Sequence, residues 1–226
     1  MSLPASDKNV LVAGGTGRLG SAIAERLRAD GWRVLAVGRQ DADLRGPEAA
    51  RGLVDRAVAE LGGLDLVVHA AGAGFEPARL EQVTEELWDD AMDVTAKGTF
   101  FLAQAAAEAL RTSGGALVIV EDVAAFQPWA SFPAHSAAKA AQAMLTRVLA
   151  RILAPEVRVC GIAPGPVAVA AGQEERRAAE TLLGRVGDPA DVADAVAYLA
   201  QAGYVTGTTL VVDGGRMLKS GRGTLP

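Results

Sequence analysis

Asp122, His135 and Lys139 place a carboxylate, an imidazole thirteen residues further on and an ammonium four residues after that in one short stretch of chain. An imidazole can act as a general acid near neutral pH; its competing reading is a polar residue that merely lines a cleft. A second constellation is the run Ala13-Gly14-Gly15-Thr16-Gly17-Arg18-Leu19-Gly20, with glycines at every third position from Gly14 through Gly17 to Gly20. The pyrophosphate of a dinucleotide needs backbone N–H groups aimed at it, a helix N-terminus behind it and no side chain in the way. Glycines at such a turn meet those conditions. Alone, a run like this can be tight loop packing; a strand before it and a helix after it favour the dinucleotide. His69 reads as a loop residue capping a strand end, and the two histidines lie too far apart in the chain to suggest a metal site. Cys160 reads as packed rather than reactive, and no metal is expected.

Apolar runs alternating with helical patterns must position these residues. Residues 10–13 read as a buried strand, followed by Leu19, Ile23 and Leu27 at helical spacing as far as Asp30-Gly31. Further strands are expected at 34–37, 64–68, 116–120, 157–162 and 209–212. Helices are expected through Leu53, Val54, Ala57 and Leu61, over about 84–111 with a bend near Lys97-Gly98, over about 136–153, and over 174–183 and 190–200. Strands without polar alternation, joined through helices, imply a parallel sheet covered on both faces. The expected fold is α/β: a single doubly wound Rossmann-type domain over residues 1–226, with six or seven parallel strands and helices on both faces. Residues 1–7 and 219–226 read as loose ends.

At 226 residues, half of them apolar, the chain can bury one large core. Its single cysteine, Cys160, excludes an internal disulfide framework. No apolar run approaches the roughly 20 residues of a membrane span, and the N-terminus lacks the basic and apolar blocks of a signal peptide. A soluble cytoplasmic protein is expected, without a membrane partner. A net charge of −5, with acids and bases interspersed, argues against nucleic acid as a partner.

The stretch from Asp122 to Lys139 resembles the active-site segment of the short-chain dehydrogenase/reductase family. There a Ser stands thirteen residues before the Tyr of a Tyr-x-x-x-Lys motif. The spacing and Lys139 are kept, His135 takes the Tyr position, and Asp122 takes the Ser position, an exchange that pteridine reductases of the family also show. Residues 88–100 align with the family helix and put Thr95 at the Asn that normally kinks it and holds a relay water. His69-Ala70-Ala71-Gly72 resembles Asn-Asn-Ala-Gly, and Asp43-Leu44 the pair whose acid reaches the adenine. Ala163-Pro164-Gly165-Pro166-Val167 resembles the turn beneath the nicotinamide, and Thr206-Gly207 with residues 212–215 the C-terminal signature. The resemblance covers about residues 8 to 217. It departs in two places: Arg18 stands where most members have the middle glycine, and residues 39–44 run directly to Asp43-Leu44, so an edge helix and strand are expected to be short or missing.

The resemblance implies a nicotinamide-dependent reductase of a small carbonyl or pterin-like substrate. Asp122 and His135 would handle the proton, with Thr95 in the relay, and Lys139 would bind the nicotinamide ribose. Gly14, Thr16, Gly17, Arg18, Leu19 and Gly20 would surround the pyrophosphate. Asp43, Leu44, Ala70, Ala71 and Gly72 would border the adenosine, and Pro164, Gly165 and Val167 the nicotinamide. After the second strand NAD enzymes carry an acid and NADP enzymes a positive charge. Here Gly38 stands at the acid's place and Arg39 follows, with Arg18 able to converge on the same 2′-phosphate. NADP(H) is therefore expected over NAD(H), although Asp41 could contact a ribose. Phe75 lies in the loop where pteridine reductases stack an aromatic on the pterin.

The alternative is a non-catalytic dinucleotide-binding pseudo-enzyme, a sensor or complex subunit. Non-redox chemistry on the same scaffold is a third reading; its dehalogenase branch is disfavoured because this chain keeps a glycine loop. The Ala-rich stretches 101–105 and 138–144 match helices that pair subunits in the family, so a homo-oligomer, tetramer or dimer, is expected. Substrate identity is not legible, because the loop after Pro166 is nondescript.

Overall fold

Runs that are apolar at every position must be covered on both sides, and the six such runs form one parallel sheet. The computed structural model describes residues 8–73 and 76–219. The strands are β1 (Asn9–Ala13), β2 (Arg33–Val37), β3 (Leu66–His69), β4 (Ala116–Val120), β5 (Arg158–Pro164) and β6 (Thr209–Val212), in spatial order β2-β1-β3-β4-β5-β6. Successive residues point to opposite faces. Leu11, Val67, Leu117 and Ile119 enter the core shared with helices α2 (Pro47–Leu61), α4 (Gly98–Ser113) and α5 (Pro133–Leu153). Val10, Val12, Val68 and Val118 enter the other, under α1 (Arg18–Ala29) and α7 (Pro189–Gln201). The strand order reverses at β1, with β2 on one side and β3 on the other. The loops leaving their C-terminal ends therefore diverge into a crevice, the usual ligand position in open α/β sheets.

The edge element is missing, as expected: the chain turns from β2 into α2 and the sheet has six strands. The long helical region is irregular next to Lys97-Gly98, where a bend was expected: α3 (Glu85–Met92) runs through a π-helical turn, Asp93–Lys97, into α4. The wider turn takes up an extra residue, a device that recurs at functional sites, and it buries Thr95. α5 starts at Pro133, three residues early, because proline suits a first helical turn.

The helix expected over 174–183 is only α6 (Glu174–Ala178). Buried Thr181 donates its hydroxyl to Ala178 O and Arg185 O, and the amides of Leu182 and Leu183 both reach Gly214 O, so tertiary bonds replace the helical ladder. β3 begins at Leu66 rather than 64. His69 is not a loop residue; it is the last residue of β3 and fully buried. Residues 1–7, 220–226 and Phe75 lie outside the described residues. Lys219 is tied down, its Nζ 3.0 Å from Thr181 O. Among the described residues no helix is long and apolar enough to cross a membrane.

Candidate active site

The turn between β1 and α1 is held against β2 by two bonds: the N–H groups of Gly14 and Gly15 both donate to Val37 O, at 2.9 and 2.8 Å. Glycine is required on two counts. Gly14 has φ +83°, where a Cβ would stand 2.4 Å from Ala71 N, and a Cβ on Gly20 would stand 2.1 Å from Gly14 O. α1 starts from Gly17, which has no side chain with which to cap it, so its first-turn N–H groups are left for an external acceptor. Gly14, Thr16, Gly17, Arg39, Asp43 and Leu44 line one groove, which continues past Ala70, Ala71 and Gly72. Thr16 packs over Gly38 so closely that a Cβ there would lie 2.2 Å from Thr16 Oγ1. Asp41 accepts the Gly38 N–H at 2.8 Å, which turns its carboxylate onto the backbone. Asp43 pairs with Arg45 at 2.8 Å. A channel lined by glycine backbone, with a cationic end at Arg39, fits a dinucleotide.

Beyond Ala70–Gly72 the groove opens into a cavity of about 710 Å³, partly open to solvent, bordered by Arg18, Leu19, Asp122, His135, Lys139, Pro164, Gly165 and Val167. Arg18 does not converge with Arg39. Its guanidinium donates to Ala168 O, on the loop after β5, so it lies across the cavity rather than beside the adenosine end. Gly165 allows that loop to approach β6: a Cβ there would come within 2.6 Å of Asp213 Cβ.

The structure brings Asp122 and His135 together. Asp122 precedes the 3₁₀ turn Val123–Ala125 and caps it, Oδ1 accepting from Ala124 N at 2.7 Å. The other oxygen, Oδ2, is 3.4 Å from His135 Nε2. The imidazole stands in the first turn of α5 and stacks on Trp129, with ring centroids 6.3 Å apart and planes inclined by 23°. One turn further along α5, Lys139 is buried, and its Nζ donates to Val120 O at 3.0 Å and Gln142 Oε1 at 2.9 Å. Burial lowers the Lys139 pKa below the ordinary ammonium value, while Asp122 and Glu121 push it back up. Thr95 contributes its carbonyl, which accepts from Thr99 Oγ1 at 2.6 Å and from Gln142 Nε2 at 3.4 Å.

Three buried residues in this interior were not legible as site residues. Gln142 bridges Lys139 to Thr99 and Thr95, so a carboxamide fills the space behind the ammonium. Glu121 is buried beneath the cavity and accepts from Thr146 at 2.5 Å and Thr209 at 2.9 Å. Burial raises its pKa, against the opposing pull of those two hydroxyls and of Lys139. A Cβ at Gly161 would fall 2.1 Å from Glu121 Oε1, so the glycine within β5 makes room for the carboxylate; that glycine was the one sequence signal for it. His69 is fully buried, and neither ring nitrogen has a hydrogen-bond partner among the described residues. Burial, helped by Lys139, lowers its pKa to about 3, so it is a neutral ring near pH 7. Cys160 is buried mid-strand with a raised pKa, which fits a packed thiol.

The chain is similar to known oxidoreductases along most of its length. Residues 15–216 match the family described as Enoyl-(Acyl carrier protein) reductase. The human Dehydrogenase/reductase SDR family member 4 is 34% identical over 245 residues, covering 94% of this chain and 88% of the relative. The 2-dehydro-3-deoxy-D-gluconate 5-dehydrogenase of Escherichia coli K12 is 36% identical over 200 residues, covering 81% of this chain and 79% of that one. The structure of the Thermoplasma acidophilum aldohexose dehydrogenase superposes with a TM-score of 0.92 at 25% identity, covering 98% of both chains.

Proposed function

The chain belongs to the short-chain dehydrogenase/reductase family of oxidoreductases, and from that premise we propose that it is an NADPH-dependent reductase of a small carbonyl or pterin-like substrate, with an Asp122–His135–Lys139 active site. The observation that carries this reading is the 3.4 Å approach of Asp122 Oδ2 to His135 Nε2 on the wall of a cavity that also receives Lys139. When bound, the reduced nicotinamide supplies the hydride that adds to the carbonyl carbon. The chain's task is to deliver a proton to the oxygen that gains charge. Asp122, anchored by the Ala124 amide, and His135, whose Nε2 faces Asp122 Oδ2, handle that proton together. Lys139 binds the nicotinamide ribose and adds positive potential. Its interior side is already engaged by Val120 O and Gln142, so the ammonium is held in place.

Preference for NADP(H) over NAD(H) is supported by three features of the adenosine groove. Thr16 leaves no room for a side chain at position 38, Asp41 is turned onto the Gly38 amide, and Arg39 has no carboxylate partner among the described residues. Gly14, Gly17 and the first-turn amides of α1 would hold the pyrophosphate, with Arg18 laid across it from the nicotinamide side.

Self-association is assigned to α5. Its alanines Ala138 and Ala143 pack inside the subunit, while Met144, Val148 and Ile152 form an exposed apolar row one turn apart.

The experiment is NADPH oxidation against a panel of carbonyls and dihydropterins, run beside an NADPH binding titration. His135→Phe is expected to lower turnover by roughly 10²–10⁴-fold while leaving NADPH affinity near that of the parent. Turnover by His135→Phe at the parental rate would remove His135 from the proton step. NADPH binding without turnover of any panel member would instead favour a non-catalytic dinucleotide-binding protein.

A further inference from the structure

We infer that the substrate carries a carboxylate or phosphate remote from its reacting carbonyl, which docks on Arg176, Arg177 and Arg216; this rests on the reductase reading above. The cavity that holds Asp122, His135 and Lys139 is also bordered by these three guanidinium groups, in a chain whose net charge is −5. They come from separate elements, Arg176 and Arg177 from α6 and Arg216 from the 3₁₀ turn Arg216–Leu218.

Their arrangement is built rather than incidental. Glu180 fixes two of them, accepting from Arg177 Nη1 at 3.0 Å and Arg216 Nε at 3.2 Å. One carboxylate thus answers two cations, and each bond uses a single nitrogen. Among the described residues no carboxylate accepts a hydrogen bond from the terminal nitrogens of Arg216, and none pairs with Arg176, which donates to Gln173 Oε1 at 3.2 Å. The Arg216 side chain is only 17% exposed, so its charge is less screened than that of a surface arginine.

Arg216 also reaches the reacting centre through packing. Its guanidinium lies 4.7 Å over the Trp129 ring, and Trp129 stacks on His135. Cation, indole and imidazole form one column along the cavity wall. An elongated ligand with its anionic end at Arg216 would lie along the indole with its other end beside the imidazole. Planar, forked guanidinium groups suit carboxylate and phosphate oxygens, and hydrogen bonds to such charged groups are the stronger kind.

The test uses the intact chain saturated with NADP⁺, which cannot pass a hydride, and measures binding by calorimetry. The probes are matched pairs: 4-oxopentanoate with its methyl ester, and dihydroxyacetone phosphate with dihydroxyacetone. The charged member of at least one pair is expected to bind about tenfold or more tightly than its neutral partner, and which pair responds separates carboxylate from phosphate. Arg176→Ala/Arg177→Ala is expected to abolish the preference with NADP⁺ affinity unchanged. Arg176→Ala, on an exposed side chain, should weaken it even if the double variant folds poorly. Equal binding within both pairs, a preference that survives the variants, or an equal loss of NADP⁺ affinity would overturn the inference. Reduction of the same probes is measured separately with NADPH. A binding preference without reduction leaves the anion site standing and removes the reductase reading, whereas efficient reduction of neutral carbonyls alone does the reverse.

Discussion

His69 makes the fold sensitive to mild acid, by an amount that follows from its burial. The ring is fully buried at the end of β3, and its pKa falls from the ordinary 6.5 to about 3. The unfolded chain protonates this imidazole below pH 6.5, while the folded chain refuses the proton. The unfolded state therefore binds more protons, and stability drops as pH falls from 6.5 toward 3. At pH 5, about 1.5 units below the ordinary value, the loss is about 2 kcal/mol, taking about 1.4 kcal/mol per unit.

Glu121 acts in the opposite sense. Its raised pKa means that the folded state takes up a proton first, which adds stability as pH falls through that range. A comparison of the parent with one variant cancels this contribution. His69→Leu keeps a buried side chain of similar bulk and removes the titration. Urea denaturation at about pH 7.5 and about pH 5 is the assay. The parent is expected to lose about 2 kcal/mol more than His69→Leu between the two conditions. Parallel losses in the two proteins would refute the reasoning, since His69 would then take up its proton in the folded state.

Three further outcomes are expected. Arg39→Ala should weaken NADPH binding by about tenfold and leave NADH binding nearly unchanged. Gly38→Asp should weaken both cofactors, because its Cβ meets Thr16 Oγ1, and should favour NADH only when combined with Thr16→Ala; equal calorimetric affinities for the two cofactors in the parent would sink the NADP assignment. Sedimentation at micromolar concentration should give a dimer or tetramer, and Val148→Lys on the exposed row of α5 should shift it toward monomer. A monomeric parent would refute the surface.

Much of this protein was legible from local pattern. Apolar runs of four to seven residues separated by helical periodicity dictate a covered parallel sheet, because their backbone groups must pair and both faces must be buried. The glycine turn after β1 could be read for a similar reason: backbone geometry and close approach admit only glycine at Gly14 and Gly20. The spacing of Asp122, His135 and Lys139 marked them as one group. Local pattern failed where a side chain's direction depends on partners distant in sequence. Arg18 looked equally able to join Arg39, and only the loop after β5, 150 residues away, turned it across the cavity. Glu121, just past the end of β4, is turned into the interior and bonded to Thr209, 88 residues distant in sequence. Gln142 bonds the Thr95 carbonyl, in the π turn, across 47 residues of sequence. Periodicity and turn chemistry act within a few residues, so sequence alone could assign the elements and the backbone-lined cofactor turn. Side-chain hydrogen bonds and desolvation act between elements, so only the packed structure decided which charges were buried, which were paired and which faced the cavity.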